Sequence, residues 1–212
     1  MSEHKSPEKE TARPGRGLLV VFSGPSGSGK TTIAHAILQR WRRWSPVEPI
    51  FSISATTRLP RQNETDGKDY FFITKEEFQR RVAAGDFIEW QQVYDDLYGS
   101  LKTFVEKPLS QGIPVVFDID VNGALAIKRA YGDKAILIFL KPPSIDALRN
   151  RLIQRQTEHP GELQKRLERT EYELGKAKVF DYIVMNDNLE EAISRVEKIL
   201  SSIFASTVHN KV

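Results

Sequence analysis

Two groups of residues in this sequence have the types and spacing to do chemistry on phosphate. The first is the run Gly24, Pro25, Ser26, Gly27, Ser28, Gly29, Lys30, Thr31, Thr32, in which Gly24, Gly29, Lys30 and Thr31 fill the pattern G-x-x-x-x-G-K-[ST]. Glycines let the backbone wrap closely around a polyphosphate, and the amides at a following helix start point at it with the positive end of the helix dipole. Lys30 would reach the β- and γ-phosphates, and the Thr31 hydroxyl would face a magnesium ion. The bland alternative is a Gly/Ser turn with an incidental lysine. Context argues against it, because residues 18–22 are an apolar run suited to a buried parallel strand and Ile33, Ala34, Ile37 and Leu38 begin a helical stripe.

The second group lies in residues 56–70, TTRLPRQNETDGKDY, where Arg58 and Arg61 flank Pro60, Glu64 follows, and a Gly-Lys-Asp-Tyr turn leads onward. Two guanidinium forks on a proline-stiffened loop suit the dianionic phosphate of a mononucleotide, since arginine binds phosphate bidentately. For either arginine alone, a solvated surface loop explains as much. The stretch closely resembles the guanylate kinase pattern S-x-T-T-R-x-P-R-x-G-E-x-x-G-x-D-Y, matched by Ser54, Thr56, Thr57, Arg58, Pro60, Arg61, Glu64, Gly67, Asp69 and Tyr70. Asn63 stands where that family usually has glycine, a substitution asparagine can make in a turn that needs positive φ. The resemblance implies that Arg58, Arg61 and the Tyr70 hydroxyl bind the phosphate of GMP, with Ser54 and Glu64 in the same acceptor site.

A further match is DFIEWQQVYDDLYGS at residues 86–100. By resemblance, Glu89 and Ser100 take the guanine and Tyr98 the phosphate. The chemistry fits guanine, whose N1–H and N2–H₂ are adjacent donors that one carboxylate accepts together, whereas adenine offers an acceptor at N1. Apolar residues 113–119 end in Asp118 and Asp120, as a Walker B strand does, although a strand-end aspartate is also a common helix cap. The context DIDVNGA resembles the family's D-[IV]-[DE]-x-Q-G-A, with Asn122 in place of glutamine. That resemblance implies Asp118 near the magnesium and the loop lysine, and Asp120 at the guanine amino group, both in the GMP site with roles partly shared.

Downstream, the family closes a lid whose arginines come from R-L-x-x-R-G-T and a later R-[RL]. Arg151, Arg155 and Thr157 match, Gln156 departs from glycine, and Arg166 takes the later position. A polar helical face rich in arginine is equally a solvated surface. The resemblance makes Lys30, Arg58, Arg151, Arg155 and Arg166 the catalytic cations, which stabilise charge on a transferring phosphoryl group. It also places Asn186, of an Asn-Asp pair, near the adenine of ATP.

The elements that must position these groups alternate strand and helix, which predicts an α/β fold of the P-loop NTPase kind: a parallel sheet with helices on both faces, a small GMP-binding insertion and a lid. Strands are expected at 18–22, 49–55, 70–73, 87–93, 113–119, 135–140 and 179–185. Helices are expected from the loop to about Trp44, at 75–84 with Phe78 and Val82 inward and Gly85 ending it, at 101–112 with an interruption near Pro108, at 122–131, in two segments between 144 and 176, and at 189–204. The core would comprise 17–50, 101–145 and 178–206, the insertion about 51–100 and the lid about 146–177. Residues 1–16, polar with Pro7 and Pro14, read as a disordered extension, and 207–212 as a loose tail.

With 212 residues, 28% charged and 40% hydrophobic, the chain fits one ordinary globular domain. No apolar run approaches membrane-spanning length. The absence of cysteine excludes disulfides and thiolate metal sites and fits a reducing compartment, so the cytoplasm is expected. A net charge of +3 comes with interspersed signs and no polybasic tract, which argues for a local phosphate site and against nucleic acid. The partners expected are ATP with Mg²⁺, and GMP or dGMP. Two rivals are a catalytically silent guanylate-kinase-like module that binds phosphopeptides, and a kinase for another nucleotide or a phosphorylated sugar. The intact Lys30 loop argues against the first, and Glu89 with Ser54 and Ser100 against the second. Oligomeric state is open.

Overall fold

The structure, a computed structural model, describes residues 17–154 and 160–209, and the side chains of 17–150 and 168–205. At its centre is β1 (Leu19–Ser23), buried throughout. Side chains alternate across a strand, so Val20 and Phe22 join one core while Leu19 and Val21 join another. A strand covered on both faces is apolar along most of its length, here Leu19–Phe22 before the buried Ser23, which is why this run reads as continuous rather than alternating.

β1 pairs in parallel with β7 (Val115–Asp118) and β8 (Ala135–Lys141). β2 (Ile50–Phe51) and β9 (Tyr182–Met185) complete a five-stranded parallel sheet in the order β2-β7-β1-β8-β9. One face is covered by α1 (Lys30–Arg40) and α7 (Leu189–His209), whose Ile33, Ile37, Ile193, Val196 and Leu200 share a core with Phe22 and Trp41. The other face is covered by α4 (Val121–Tyr131), through Val121, Ala124 and Ile127. The expected P-loop α/β architecture is present.

A second sheet, in the order β4-β3-β6-β5, stands apart from the first. It is built from β3 (Ala55–Thr56), β4 (Phe71–Phe72), β5 (Phe87–Val93) and β6 (Asp96–Leu101). Its own core joins Ala55, Phe87 and Leu101 to Phe78 of α2 (Lys75–Ala84). α2 ends where the expectation put it. The Thr74 hydroxyl accepts from the Glu77 amide at its start, and Gly85 takes a left-handed φ of 71° at its end.

Some ends are shorter than expected, β9 beginning at Tyr182 and α1 giving way to a 3₁₀ turn at Trp41, and three further differences change how the chain is routed. The strand expected at 49–55 divides: Ile50 and Phe51 belong to the main sheet and Ala55 and Thr56 to the second, so this is where the chain leaves one layer for the other. The helix expected at 101–112 breaks before Pro108. A 3₁₀ turn, Lys102–Phe104, gives way at Val105 to α3 (Glu106–Ser110), and Pro108 sits in the first turn of α3, where its missing N–H costs nothing. The last helix runs on to His209, beyond 204 and into the expected tail. α5 (Ile145–Gln154) and α6 (Pro160–Gly175) occupy the span expected for two helices, and the Ser144 hydroxyl caps the first by accepting from the Ala147 amide at 3.0 Å. Among the described residues no helix is long and apolar enough to cross a membrane.

Candidate functional site

Parallel α/β sheets present their ligands at the carboxyl ends of the strands, and here the second sheet stands over those ends to make a cleft. The floor is the loop between β1 and α1. Gly24, at φ 140°, passes so close to β8 that a β-carbon would stand 2.4 Å from the Leu140 carbonyl oxygen. At Gly29, φ 92°, a β-carbon would meet the Asn186 amide nitrogen at 2.3 Å. The Lys30 ammonium donates to the carbonyls of Gly24 at 2.8 Å and Pro25 at 3.0 Å, curled into its own loop. Ser26, Gly27, Gly29, Lys30 and Thr31 line the cleft. Pro25 and Ser28 are buried and Thr32 is exposed on the helix, outside the lining.

Asn186 also shapes the loop from outside. Its side-chain amide, almost wholly buried, donates to the Ser28 carbonyl at 2.7 Å and so ties the end of β9 to the phosphate loop. The Thr31 hydroxyl donates to the Asp118 carboxylate at the end of β7. A hydroxyl and a carboxylate meeting beside a polyphosphate loop are hard oxygen donors of the kind magnesium takes when substrate phosphates and waters supply its other positions. The described residues contain no cluster of three or more acidic or histidine side chains that would form an all-protein metal cage.

Across the cleft, Arg58 is held rather than free. Its guanidinium forms a fork with Glu64, at 2.5 and 2.7 Å, and lies 4.8 Å from the centre of the Tyr70 ring. Burial works against its charge, but the Glu64 hydrogen bonds and Tyr98 more than offset this and its pKa is raised. Glu64 also accepts from the Arg61 amide at 2.8 Å, and these hydrogen bonds, that from Arg58 foremost, lower its own pKa. Glu64 therefore organises the two arginines and is not among the cleft-lining residues, unlike Arg58 and Arg61. The Arg61 side chain is more than half exposed. Burial above all, then the Asp118 charge, pushes Tyr70 up to about 12, which keeps its phenol protonated and able to donate. Asn63 is not in the left-handed region: among described non-glycine residues only Tyr94 has positive φ, so the departure at 63 leaves no backbone strain.

Also in the cleft, Glu89 is 7% exposed and accepts a 2.7 Å hydrogen bond from Ser100. Burial, with the Asp120 charge adding, pushes its carboxyl up to about 7. Ser54 lines the same cleft. Asp120 both caps α4 and lines the cleft. One of its oxygens accepts from the Gly123 amide at 2.7 Å, opening α4, and the other accepts from Arg169 at 2.9 Å, within the cleft.

The structure thus brings Gly24, Lys30, Thr31, Ser54, Arg58, Arg61, Tyr70, Glu89, Tyr98, Asp118 and Asp120 to one cleft, with Ser100 bonded to Glu89. Arg155, Gln156 and Thr157 lie outside the described residues, as do the side chains of Arg151 and Arg166. Gln91, Tyr94, Arg169 and Glu173 line the cleft without having been anticipated. Gln91 was findable, being two residues from Glu89 on the same face of β5. Asn122 also gains a place, its side-chain oxygen accepting from the Tyr172 hydroxyl at 2.9 Å.

The sequence over residues 16–203 matches the family model described as guanylate kinase. The chain belongs to the guanylate kinase family. It is 45% identical over 196 residues to the guanylate kinase of Thermotoga maritima, covering 92% of each chain, and 47% identical over 189 residues to that of Salinibacter ruber, covering 87% of this chain and 97% of the other. The crystal structure of guanylate kinase from Anaplasma phagocytophilum superposes with a TM-score of 0.73 at 29% identity, covering 89% of this chain and 86% of that one. A guanylate kinase family chain is a kinase, and its reaction class is nucleotide phosphoryl transfer.

Proposed function

We propose that the cleft transfers the γ-phosphoryl group of ATP to GMP or dGMP, giving ADP and GDP or dGDP. The observation that carries this reading is one cleft lined by a phosphate loop with Lys30, an arginine pair ordered by Glu64, and a buried carboxylate, Glu89. ATP would lie with its phosphates on the loop amides and Lys30 turned from the Gly24 and Pro25 carbonyls toward them. GMP would present its phosphate to Arg58, Arg61, Tyr70 and Tyr98, and its N1–H and N2–H₂ to Glu89.

A GMP phosphate oxygen attacks the γ-phosphorus in line, the bond from that phosphorus to the β-bridging oxygen breaks, and ADP leaves. No side chain need remove a proton, because the nucleophile is a phosphate with a second pKa of about 6. The work left to the chain is alignment, exclusion of water and stabilisation of charge on the transferring group. Thr31 and Asp118 would hold Mg²⁺, which supplies charge neutralisation across the β- and γ-phosphates when bound. Arg151, Arg155 and Arg166 are proposed to add cations from a lid. The segment from about 51 to 100 would be the GMP-binding insertion and that from about 146 to 177 the lid. The cytoplasm, where these nucleotides are supplied, is the compartment the reading implies.

Coupled measurement of ADP release with GMP, dGMP, AMP, CMP and UMP tests the proposal. GMP and dGMP should turn over and the others should lag by orders of magnitude. Absence of ADP release with GMP sinks the reading.

A further inference from the structure

Arg169 stands where three parts of the fold meet. From α6, its Nη2 donates to Asp120 at the head of α4 at 2.9 Å, and its Nε donates to Glu173, one turn along α6, at 3.0 Å. Its guanidinium lies 5.7 Å from the centre of the Tyr94 ring, in the turn between β5 and β6. All four residues line the cleft. Tyr94 carries a left-handed φ of 57°, in a position of a two-residue hairpin turn where glycine is usual. A bulky side chain is kept in such a backbone only where its surroundings determine it strongly.

We infer that Arg169 is a positioning residue of the acceptor-base pocket: it fixes the Asp120 carboxylate and packs on the Tyr94 ring, so that tight binding of the base depends on α6 being docked. The inference rests on the reading of this part of the cleft as the guanine site. Two carboxylates, Glu89 and Asp120, face that site, and Glu173 is buried beside it. Acidic groups crowded together repel unless cations are held among them; the Lys30 charge acts on Glu173, and Arg169 bonds Glu173 and Asp120 together through two donors at fixed angles. It does not block the base. Each carboxylate oxygen has two lone pairs, and Asp120 spends one oxygen on Gly123 and the other on Arg169, which leaves room for a further donor such as the guanine amino group.

An exposed ion pair would contribute little. This one differs, because the Arg169 side chain is 24% exposed, its Asp120 partner 18%, and Glu173 6%. Lysine cannot replace it in full, since one ammonium on a shorter stem lacks the fork that reaches Asp120 and Glu173 together while stacking on a ring.

The test is calorimetric titration of wild type, Arg169→Gln and Arg169→Lys with GMP and, separately, with ADP, supported by steady-state kinetics and thermal melts. If wild type fails to bind GMP, the reading of the cleft falls and the inference with it. Given wild-type binding, Arg169→Gln should weaken GMP about ten- to a hundredfold, as loss of a charge-assisted hydrogen bond does, and raise KM for GMP more than it lowers kcat, with ADP affinity unchanged. Arg169→Lys should recover part of the loss. A folded Arg169→Gln that binds GMP like wild type overturns the inference, and so does equal loss for both nucleotides, which marks a merely structural role. Should Arg169→Gln not fold, Arg169→Lys decides: about threefold or greater weakening for GMP alone supports the inference, and wild-type GMP affinity overturns it.

Discussion

The Glu89 carboxylate occupies the space that Gly123 leaves by having no side chain: a β-carbon at Gly123 would stand 2.7 Å from Glu89 Oε2. The helix that caps itself on Asp120 is thereby packed directly against the residue proposed to read guanine. Glycine inside a helix costs about 1 kcal/mol relative to alanine, so its presence here has to be explained by that contact.

Gly123→Ala is therefore expected to separate stability from function. The helix gains propensity, and the clash falls on the end of the Glu89 side chain rather than on backbone, so the fold should survive. The carboxylate must shift, and catalytic efficiency with GMP should fall about tenfold or more while the KM for ATP holds. Steady-state kinetics beside a thermal melt would show it, and unaltered GMP efficiency would contradict the proposed role of Glu89.

Glu89→Gln should erode base selectivity. The amide turns one acceptor into a donor facing guanine N1–H or N2–H₂, and a site built on buried polar pairing loses about 10²-fold or more when the pairing is wrong. The ratio of efficiencies for GMP over AMP is the measurement. A ratio equal to that of wild type would remove Glu89 from base recognition.

The same residue predicts a pH dependence of stability. Its folded carboxyl is pushed up to about 7 by burial and by the Asp120 charge, from an ordinary value of 4.5. The groups facing it are Asp120 and Gly123 from α4 and Ser100 from β6, with Arg169 of α6 paired to Asp120. Between those two pH values the folded state binds more protons than the unfolded one, so this group's contribution falls as pH rises, by up to about 3 kcal/mol, and is level above pH 7. Glu89→Gln removes that dependence. Its melting temperature relative to wild type should therefore rise by about 5 °C from pH 5 to pH 8 in ligand-free protein, and a constant difference would refute the raised carboxyl.

Much of this was legible beforehand because the signals were local. The phosphate loop is a short run with fixed spacing, and Gly85 and Ser144 mark helix ends by chemistry confined to one turn. The division of 49–55 between two sheets was not legible, since alternation over seven residues looks the same whichever partner each half bonds to. Arg169 and Glu173 were hidden for a similar reason: an i, i+4 pair on a charged helix reads as solvated surface until the helix is placed against Asp120. Glu64 was legible as a site residue but not as the partner of Arg58, because the chain has to fold back six residues to close that fork.

Lys30→Ala should abolish turnover while leaving the acceptor site intact. Removing one preorganised donor from a transition-state charge costs about 10² to 10³ in kcat, and the described hydrogen bonds of Lys30 go to the Gly24 and Pro25 carbonyls, its charge reaching the acceptor side only through Glu173, which does not contact the proposed phosphate ligands Arg58 and Arg61. Titration with GMP should give the wild-type Kd in a variant with almost no kcat. Loss of GMP binding as well would show that the two halves of the cleft are not separable.

The ordering of Arg58 by Glu64 gives a graded prediction. The fork uses both carboxylate oxygens, and one of them also accepts from the Arg61 amide. Glutamine retains one acceptor and the shape, and alanine retains neither, so KM for GMP should rise in the order wild type, Glu64→Gln, Glu64→Ala, reaching about tenfold or more for alanine as Arg58 loses its fixed geometry. ATP binding on the loop should stay as it is. The alternative, in which Glu64 itself touches the nucleotide, gives a different pattern: a carboxylate beside a substrate phosphate repels it, so removing the charge would tighten GMP. The direction of the change in KM across the three proteins separates positioning from contact, and a flat series would rule out both.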